Sequence, residues 1–385
     1  MSVSTSRTLR RPSTALCAVV FACALTQVAH ASPYGVPVPG GQPTAEDLTA
    51  TSTEGGDVQA PVPGAGTCNT VAHQPISLPA DDAPHSADAS IEWWWWYGHL
   101  TTRDGRRLGY LVWFATRPWA DVTWADYMVS DLSNHTYHYG REPIIHGLPK
   151  STRNGFDLRA AHASALGGDG RDSLSLNVDG YRLALSLRAT RPPTIQLGDG
   201  YLSAWCNNSY YYTRDRMRAS ARLVKGGRTV AATGDGSFSH QWGFMPLMET
   251  VQYNYLSFQL ADGRSIVVAE MRDDQDPKHF RIDAGSISYP DGRSTQLHHD
   301  DFSFTPTRWW QRDATCRYPV EWDVRVKGMH LHARAELDGS EARATGHPEI
   351  YATWPEWANV WSGPTVVSGD ASGVGWLENS RYCSA

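Results

Sequence analysis

A tryptophan-rich run and the turn after it decide the fold class: residues 92–114 read EWWWWYGHLTTRDGRRLGYLVWF. The Asp104-Gly105 pair separates two apolar runs, which is typical of a β-hairpin. Residues 321–326 and 329–337 alternate between apolar and polar side chains, as half-buried strands do. Further Asp-Gly pairs occur at 169–170, 179–180, 199–200, 235–236, 262–263, 291–292 and 338–339. We therefore predict an all-β chain that forms a barrel or a sandwich.

The composition agrees with a folded β-protein and excludes several classes of function. The 385 residues are 41% apolar and 19% charged, whereas an average soluble domain is about 25% charged. The chain has 16 Trp, 17 Tyr and 9 Phe, and aromatic residues favour strands. Lysine is scarce among the 34 basic residues, and the formal net charge is −6. These numbers argue against a disordered chain, a Schiff-base mechanism and a nucleic-acid partner.

The N-terminus has the pattern of a signal peptide. Three arginines precede an apolar run over residues 15–28, and the small residues around Ala31 suit a cleavage site. We predict that residues 1–31 are removed and that the mature chain is secreted or periplasmic. No later run approaches the roughly 20 apolar residues of a membrane helix, so we expect no stable membrane span. Residues 32–84 are rich in Pro, Gly, Ala and Thr and predict a flexible leader.

Cleavage would leave four cysteines in a compartment that permits disulfides: Cys68, Cys206, Cys316 and Cys383. Two bridges are expected, and three pairings are possible on the sequence alone. Pairing Cys316 with Cys383 and Cys68 with Cys206 keeps each bridge within one predicted domain. Free buried thiols are the alternative.

An internal similarity indicates a duplicated domain. Residues 95–114 contain an aromatic run, an Asp-Gly turn and an apolar strand, and residues 253–271 repeat these features 158 positions later. A second, shorter similarity relates residues 233–237 to residues 368–372. Chance agreement between common Asp-Gly hairpins is the alternative explanation.

The length of the chain also suggests two domains, at about 100 to 200 residues each. Together with the internal similarity, this length predicts two antiparallel barrels joined near residue 235. We assign residues 85–235 to an N-terminal barrel and residues 236–385 to a C-terminal barrel.

The aromatic run has two different faces if it forms a strand. One face carries Trp93, Trp95, Tyr97 and His99. The other face carries Glu92, Trp94, Trp96 and Leu100. Aromatic residues on both faces indicate that both are covered, one by a barrel interior and the other by the second barrel or a ligand. The Glu92 carboxylate, beside so much apolar surface, needs a partner or a raised pKa.

A second candidate for chemistry lies in residues 236–243, near the predicted junction. In an extended conformation Phe238, His240 and Trp242 share one face, so the imidazole lies between two aromatic rings. A single buried histidine is more often structural than catalytic, and both roles stay open here.

Six short motifs follow one another along the chain. They are EWW and GHL within 92–100, SYYY with RM within 209–217, HQWG at 240–243, LSFQL with DG within 256–263, YP with W within 318–322, and VVSG with GWLE within 366–378. In this order they resemble the AttH-like family, which includes hydroxyneurosporene synthase (carotenoid 1,2-hydratase), kievitone hydratase and fungal Diels-Alderases of lipocalin-like fold. The resemblance spans residues 90–383. It implies two tandem lipocalin-like antiparallel β-barrels with a hydrophobic pocket at or near their interface.

The resemblance also implies chemistry on carbon–carbon double bonds. The family's hydratases add water to a trisubstituted double bond of a prenyl chain, which requires a general acid, aromatic faces and a positioned water. We expect no cofactor for this reaction. The family motif usually has aspartate before His-Gln-Trp-Gly, but Ser239 stands here. Because serine cannot protonate an alkene, this role would pass to Glu92, Glu249 or Glu270, or be absent. Pairing with an arginine is the alternative for Glu270.

We therefore expect an exported protein that acts on C=C bonds of a hydrophobic isoprenoid or polyene. A hydratase (hydro-lyase) is our first expectation, and the predicted catalytic residues are His240, Glu92 and Glu270. The predicted substrate-binding residues are Trp93, Trp94, Tyr211 and Trp242. A Diels-Alderase-type cyclase and a non-catalytic lipocalin-like carrier of an apolar ligand are the alternatives. A secreted lectin would need rows of solvent-facing tryptophans.

Other groups of residues give little support for a metal site or for a known catalytic motif. His330 and His332 share a strand face, but Arg334 and Glu336 share it too, so we expect a solvated face there and no metal. The sequence has no GxSxG, HExxH or P-loop pattern, which leaves the familiar hydrolase, metalloprotease and nucleotide-binding classes without support.

Overall fold

The computed structural model describes eight segments of the chain: residues 57–59, 73–85, 89–153, 155–204, 207–245, 251–273, 281–343 and 359–383. The predicted signal peptide lies outside these segments, as do Cys68, Cys206 and Glu249. Within the eight segments no helix has the length and apolar character needed to cross a membrane.

Strands make up most of the described chain, and its helical part consists of short 3-10 turns at Ala80–Asp82, Pro118–Ala120 and His299–Asp301. The strands before residue 250 are β1 Asp57–Gln59, β2 Ile91–Thr102, β3 Arg107–Arg117, β4 Val122–Asp131, β5 Thr136–Ile145, β6 Lys150–Thr152, β7 Gly155–Arg159, β8 Ala163–Gly168, β9 Arg171–Val178, β10 Tyr181–Ala189, β11 Thr194–Ile195, β12 Tyr201–Ala204, β13 Asn207–Lys225 and β14 Arg228–Phe244. The strands after it are β15 Val251–Leu260, β16 Ser265–Asp273, β17 Arg281–Ser288, β18 Ser294–Leu297, β19 Phe302–Gln311, β20 Arg317–Val326, β21 Met329–Ala335, β22 Glu341–Arg343, β23 Asn359–Gly369 and β24 Gly373–Ser380. The all-β prediction is confirmed.

The strands form two antiparallel sheets with the same order. The first sheet runs β5-β4-β3-β2-β14-β13-β10-β9-β8-β7-β6, with β11 and β12 also paired to β13. The second runs β1-β17-β16-β15-β24-β23-β21-β20-β19, with β18 on β17 and β22 on β23. The path from β5 to β8 in the first sheet therefore corresponds strand by strand to the path from β18 to β19 in the second. Each sheet curls into a lipocalin-like barrel, and the predicted tandem arrangement is confirmed.

The longer of the two internal similarities corresponds to this repeat. Asp104-Gly105 lies in the turn from β2 to β3, and Asp262-Gly263 lies in the turn from β15 to β16. Both glycines have positive φ, +84° at Gly105 and +92° at Gly263, a backbone region that glycine reaches without steric cost. The two hairpins occupy the same place in their sheets.

The shorter similarity has no such structural counterpart. Residues 233–237 lie inside β14, whereas residues 368–372 span the turn between β23 and β24. Gly236, predicted to lie in an Asp-Gly turn, instead pairs with Gly98 in the middle of a ladder. A Cβ atom at Gly236 would overlap the hydroxyl oxygen of Tyr110, so this glycine permits close packing and forms no turn.

The course of strand β14 places the boundary between the barrels later in the chain than the sequence predicts. The strand runs continuously through the predicted boundary at residues 235 and 236, because it pairs along its length with both β13 and β2. The first sheet ends with β14 at Phe244, and the second continues from β15 at Val251. The change from one sheet to the other therefore falls between these two residues.

Part of the predicted flexible leader packs against the first barrel. We call residues 73–85 the strap. The side chain of Asp82 is fully buried, and Arg214 donates to its two oxygens at 2.7 and 2.8 Å. At the other end of the strap the His73 ring stacks on Tyr201, with centroids 4.4 Å apart. The strap is fixed because its polar side chains have partners on distant strands, which a local composition pattern does not reveal.

The aromatic run separates two environments, as its alternation predicts. On one face of β2 the buried core residues of the first barrel include Trp94, Trp96, Leu100, Phe238 and Trp242. On the opposite face a second cluster joins the two sheets and includes Trp95, Tyr97, Tyr255 and Trp376. The structure therefore places one face of the run in a barrel interior and the other against the second barrel.

A disulfide closes the second barrel near its C-terminal end. Cys316 and Cys383 are bonded, with their Cα atoms 5.0 Å apart. Cys316 directly precedes β20 and Cys383 follows β24, so the bond connects elements that are not neighbours in the sheet. This is the pairing favoured by keeping each bridge within one predicted domain.

Candidate active site

A cavity of about 160 Å³ lies between the two sheets. Its apolar wall includes Trp93, Trp95, Trp113, Met128, Met245 and Tyr255. Alternation along the strands explains this lining, since residues two apart share a face. On β14 the cavity-facing residues are Ser239 and Gln241, which stand opposite Trp95 and Trp93 of β2 in the ladder. The wall is therefore aromatic and sulfur-containing, with few polar groups.

Glu378 is a carboxyl group in this wall. On β24 it stands opposite Tyr255 of β15 and Ser362 of β23. The Tyr253 hydroxyl donates to its Oε1 at 2.6 Å, and the Ser362 hydroxyl donates to its Oε2 at 2.7 Å. Both partners donate, so they hold the carboxyl in place without accepting its proton.

The surroundings of Glu378 favour its neutral form. Burial raises its pKa to about 7, although the hydrogen bonds from Tyr253 and Ser362 lower it. The negative charge of Asp126 raises the pKa further, and the positive charge of Arg141 lowers it. At neutral pH a large fraction of Glu378 therefore carries a proton, as a general acid must.

A second carboxyl group in the same wall has a different environment. Arg141 on β5 stands opposite Asp126 on β4 and binds it with two nitrogens, at 2.7 and 2.8 Å. The Trp124 indole also donates to Asp126, at 3.1 Å. Two nitrogens of one guanidinium therefore hold this carboxyl group in a bidentate pair. The cavity contains two carboxyl groups, one with hydroxyl partners and one with an arginine partner.

Tyrosine hydroxyls complete the polar part of the site. The Tyr211 hydroxyl lies 3.4 Å from the Ser239 hydroxyl, and Tyr97 and Tyr255 share a hydrogen bond of 3.0 Å. Burial raises the pKa of Tyr211 to about 12, so this hydroxyl stays neutral at physiological pH. Ser239 reaches the cavity wall, which means that an aspartate at this position would also reach it.

A family model described as AttH-like matches residues 69–382 of the chain. The chain belongs to the AttH-like family. An AttH from Nitrosomonas europaea has a similar structure, with a TM-score of 0.71 and 20% identity over 84% of this chain and 100% of the other. Kievitone hydratase from Nectria haematococca has a TM-score of 0.64 and 15% identity over 80% of this chain and 94% of the other. No curated protein matches the chain.

The structure divides the predicted substrate-binding residues of this AttH-like protein into two pairs. Trp93 and Tyr211 line the cavity between the sheets. Trp94 and Trp242 lie on the other face of their strands and pack inside the first barrel. The period of two along β2 and β14 requires this division, because Trp93 and Trp94 are adjacent and must point to opposite sides.

Two of the predicted catalytic residues meet each other, away from the cavity. The imidazole Nε2 of His240 lies 2.8 Å from Oε1 of Glu92, and both side chains are fully buried inside the first barrel. His85 of the strap, a residue that the sequence did not single out, brings its Nδ1 to 3.1 Å from the same oxygen. A catalytic role for His240 and Glu92 stays a prediction, and neither side chain lines the cavity.

Of these three side chains, His85 carries a positive charge, Glu92 carries a negative charge and His240 is neutral. Burial raises the pKa of Glu92, but its bonds with His240 and His85 outweigh this effect and lower the pKa. Burial lowers the pKa of His240, which favours a neutral ring. Burial also acts to lower the pKa of His85, but the bonds to Asp81 and Glu92 raise it to about 9. In the absence of another cation, protonated His85 therefore neutralises Glu92.

Glu270 has the arginine partners that we considered as its alternative role. Its carboxylate lies 2.8 Å from Arg281 and 3.7 Å from Arg272. Glu270 stands opposite Asp283 of β17 in the ladder and does not line the cavity. Its catalytic role likewise stays a prediction, and its geometry is that of a partly exposed ion pair.

The sequence did not predict the two carboxyl groups that line the cavity. Glu378 belongs to one of the six family motifs, and Asp126 lies two residues after Trp124 in β4, but neither is among the predicted site residues. An acidic residue at a cavity-facing position of an apolar strand was the available signal. Of the tryptophans that the structure describes, Trp119 alone is exposed, at 47%, so the rows of exposed rings that a lectin would need are not found among them.

Proposed function

We propose that this protein is an enzyme that protonates a carbon–carbon double bond of a hydrophobic isoprenoid or polyene in the cavity between the sheets, and adds water to it. The observation that carries the proposal is Glu378, a buried carboxyl with a pKa of about 7 in an aromatic wall. The kievitone hydratase of similar fold supports it, since that protein is named for the addition of water.

The residues present suit each step of a hydration. Neutral Glu378 gives its proton to one alkene carbon, and the positive charge forms on the more substituted carbon. The faces of Trp93, Trp95 and Trp113 stabilise this cation through their π systems. Water adds to the cation, and its excess proton passes to Asp126, the second carboxyl group of the wall. The net change is the addition of one water molecule. The enzyme is restored when Asp126 releases its added proton to solvent and Glu378 takes one up.

The size of the cavity limits what it encloses. Its volume of about 160 Å³ is below the roughly 300 to 1,000 Å³ of pockets that enclose drug-sized ligands. A long polyene would therefore place only its reacting end between the sheets. We propose a terminal prenyl unit, or a double bond of similar size, as the group that enters.

Cyclisation is a second candidate, and Ser239 is the observation that favours it. A pericyclic reaction folds a polyene without proton transfer, so it does not need the aspartate that usually precedes His-Gln-Trp-Gly in the family. The same aromatic wall would hold the reacting end of the chain. In this case Glu378 would orient the substrate without giving up a proton.

We also propose that the enzyme acts outside the cytoplasm. The arginines, the apolar run and the small residues before Ser32 support export. The disulfide between Cys316 and Cys383 supports an oxidising compartment. Alkaline phosphatase fused after residue 60 would report this directly, and a fusion that stays inactive and cytoplasmic would contradict export.

A mass measurement tests the reaction. The mature protein is incubated with lipid extracts of its source cells and with synthetic prenyl alcohols and polyenes, and the products are separated by mass. A product heavier by one water that is absent with Glu378→Gln supports the hydratase. An isomer of unchanged mass that persists with Glu378→Gln supports the cyclase. Recovery of a bound but unchanged ligand would overturn both and indicate a carrier.

A further inference from the structure

A cluster of metal-binding side chains lies inside the first barrel, apart from the proposed active site. It contains His85 of the strap, Glu92 of β2 and His240 of β14, which come from three separate elements. Their ligand atoms all lie within 4.8 Å of one another. Two of the three side chains are fully buried, and His85 is the partly exposed one, at 18%.

The hydrogen bonds around His240 allow a metal ion to bind its Nε2. Its Nδ1 lies 3.4 Å from the Tyr212 hydroxyl, and that hydroxyl donates its own proton to Asp82. The Tyr212 oxygen can therefore accept a proton from Nδ1. With the ring proton on Nδ1, the Nε2 atom is free to bind a metal ion. Without a metal, the 2.8 Å contact between Nε2 and the Glu92 oxygen is a hydrogen bond, and a metal ion would displace its proton.

His85 has a similar arrangement, in which one ring nitrogen contacts a side-chain oxygen and the other faces Glu92. Its Nε2 lies 3.4 Å from an oxygen of Asp81, and its Nδ1 faces Glu92 at 3.1 Å. If a metal ion displaces the proton on Nδ1, the Nε2 atom can still donate to Asp81 while Nδ1 presents its lone pair to the ion. A histidine that donates one ring nitrogen to a carboxylate and offers the other to the ion is the usual arrangement in zinc sites.

We propose that His85, Glu92 and His240 bind a zinc ion. Two imidazole nitrogens and one carboxylate oxygen are a donor set that Zn²⁺ accepts, with a fourth position left for water. Ligands of a tetrahedral zinc ion lie about 3.3 Å apart, so the observed 2.8 and 3.1 Å require shifts of a few tenths of an ångström. The rings are already oriented, because His85 stacks on Trp242 and His240 stacks on Trp94.

The site would fasten the strap to the barrel. His85 belongs to the strap, whereas Glu92 and His240 belong to adjacent strands of the sheet. Zinc would replace the proton that otherwise lets His85 neutralise Glu92. Because none of the three residues lines the cavity, this proposal is independent of the proposed hydration.

Metal titration of the purified protein tests the site. The protein is stripped with a chelator and titrated with Zn²⁺ by calorimetry, and with Co²⁺ by visible absorption. We expect one equivalent of each metal, with the intense absorption of four-coordinate Co²⁺. The exposed pair of His138 with Asp179 provides the control, so His138→Ala should bind as the wild type does.

Two variants decide whether the bound metal occupies this cluster. His85→Ala should abolish stoichiometric binding, and Asp81→Asn should weaken it by roughly 10- to 100-fold, as losses of such supporting carboxylates do. Asp81→Asn leaves all three ligands in place, so it serves if His85→Ala fails to fold. A folded wild type that binds no metal would overturn the proposal. Unchanged binding by folded His85→Ala, or by Asp81→Asn, would also overturn it.

Discussion

The hydroxyl groups of Tyr97 and Tyr255 form a hydrogen bond of 3.0 Å across the junction of the two sheets. The two residues are 158 positions apart, which is the spacing of the internal similarity, so they occupy equivalent positions in the two repeats. Trp95 adds an aromatic contact, with its ring centroid 4.9 Å from that of Tyr255. The repeats thus contact each other through matching residues, and the candidate active site lies beside this contact.

Removal of either hydroxyl should weaken the junction. Tyr97→Phe and Tyr255→Phe should each lower the free energy of unfolding by about 1 kcal/mol, since each removes a buried hydrogen bond. The double variant should cost less than the sum, because the bond between the two hydroxyls is already lost in either single variant. Urea unfolding of the four proteins measures this coupling, and strictly additive costs would show that the bond contributes nothing.

The activity should have an alkaline limit set by Glu378. Turnover requires the neutral carboxyl, whose pKa is about 7, so the rate should fall by roughly tenfold per pH unit above that value. Ser362→Ala removes a donor that favours the carboxylate, so it should raise the pKa of Glu378 and move the limit to higher pH. Initial rates between pH 5 and 9 provide the test. If Ser362→Ala does not shift the dependence of the initial rate on pH, Glu378 is not the proton donor.

The same group should make stability depend on pH. The pKa of Glu378 is raised in the folded protein, from 4.5 to about 7, so its contribution is fully present below the unfolded value. That contribution should decline as the pH rises through about 7, for a total loss of up to about 3 kcal/mol. Glu378→Gln should flatten this part of the curve of unfolding free energy against pH. A wild-type curve that rises between pH 5 and 8 while the variant's stays flat would contradict the assignment.

The sequence predicted what depends on local pattern. Alternation along residues 92–100 gave the correct two faces, and Asp-Gly pairs gave the hairpins of β2 with β3 and of β15 with β16. It did not identify Glu378, because the partners of this carboxyl come from β15 and β23, and only the pairing of β24 with both strands brings them together. Asp82 shows the same limit, since its partner Arg214 is 132 residues away.

The buried pair of Asp82 and Arg214 should be the main attachment of the strap. Arg214→Met leaves the Asp82 carboxylate without its guanidinium, and loss of one partner of a buried ion pair costs about 3 to 5 kcal/mol. We expect a large drop in unfolding free energy and rapid proteolysis within residues 73–85. His73→Ala, at the exposed end of the strap, should cost less than about 0.5 kcal/mol. Equal protease resistance of Arg214→Met and wild type would show that other contacts hold the strap.

Ser239 offers a direct test of which position supplies the proton. The resemblance to the hydratases implies an aspartate here, and Ser239 lines the same cavity as Glu378. In the inactive Glu378→Gln background, Ser239→Asp should therefore restore part of the hydration, because a buried carboxyl at this position also tends to keep its proton. Ser239→Asn in that background has nearly the same shape but no acidic proton, so it should stay inactive. Equal rates for the two double variants would show that position 239 cannot protonate the alkene in this cavity. A higher rate for the variant with aspartate would show that the proton donor can lie on β14 as well as on β24.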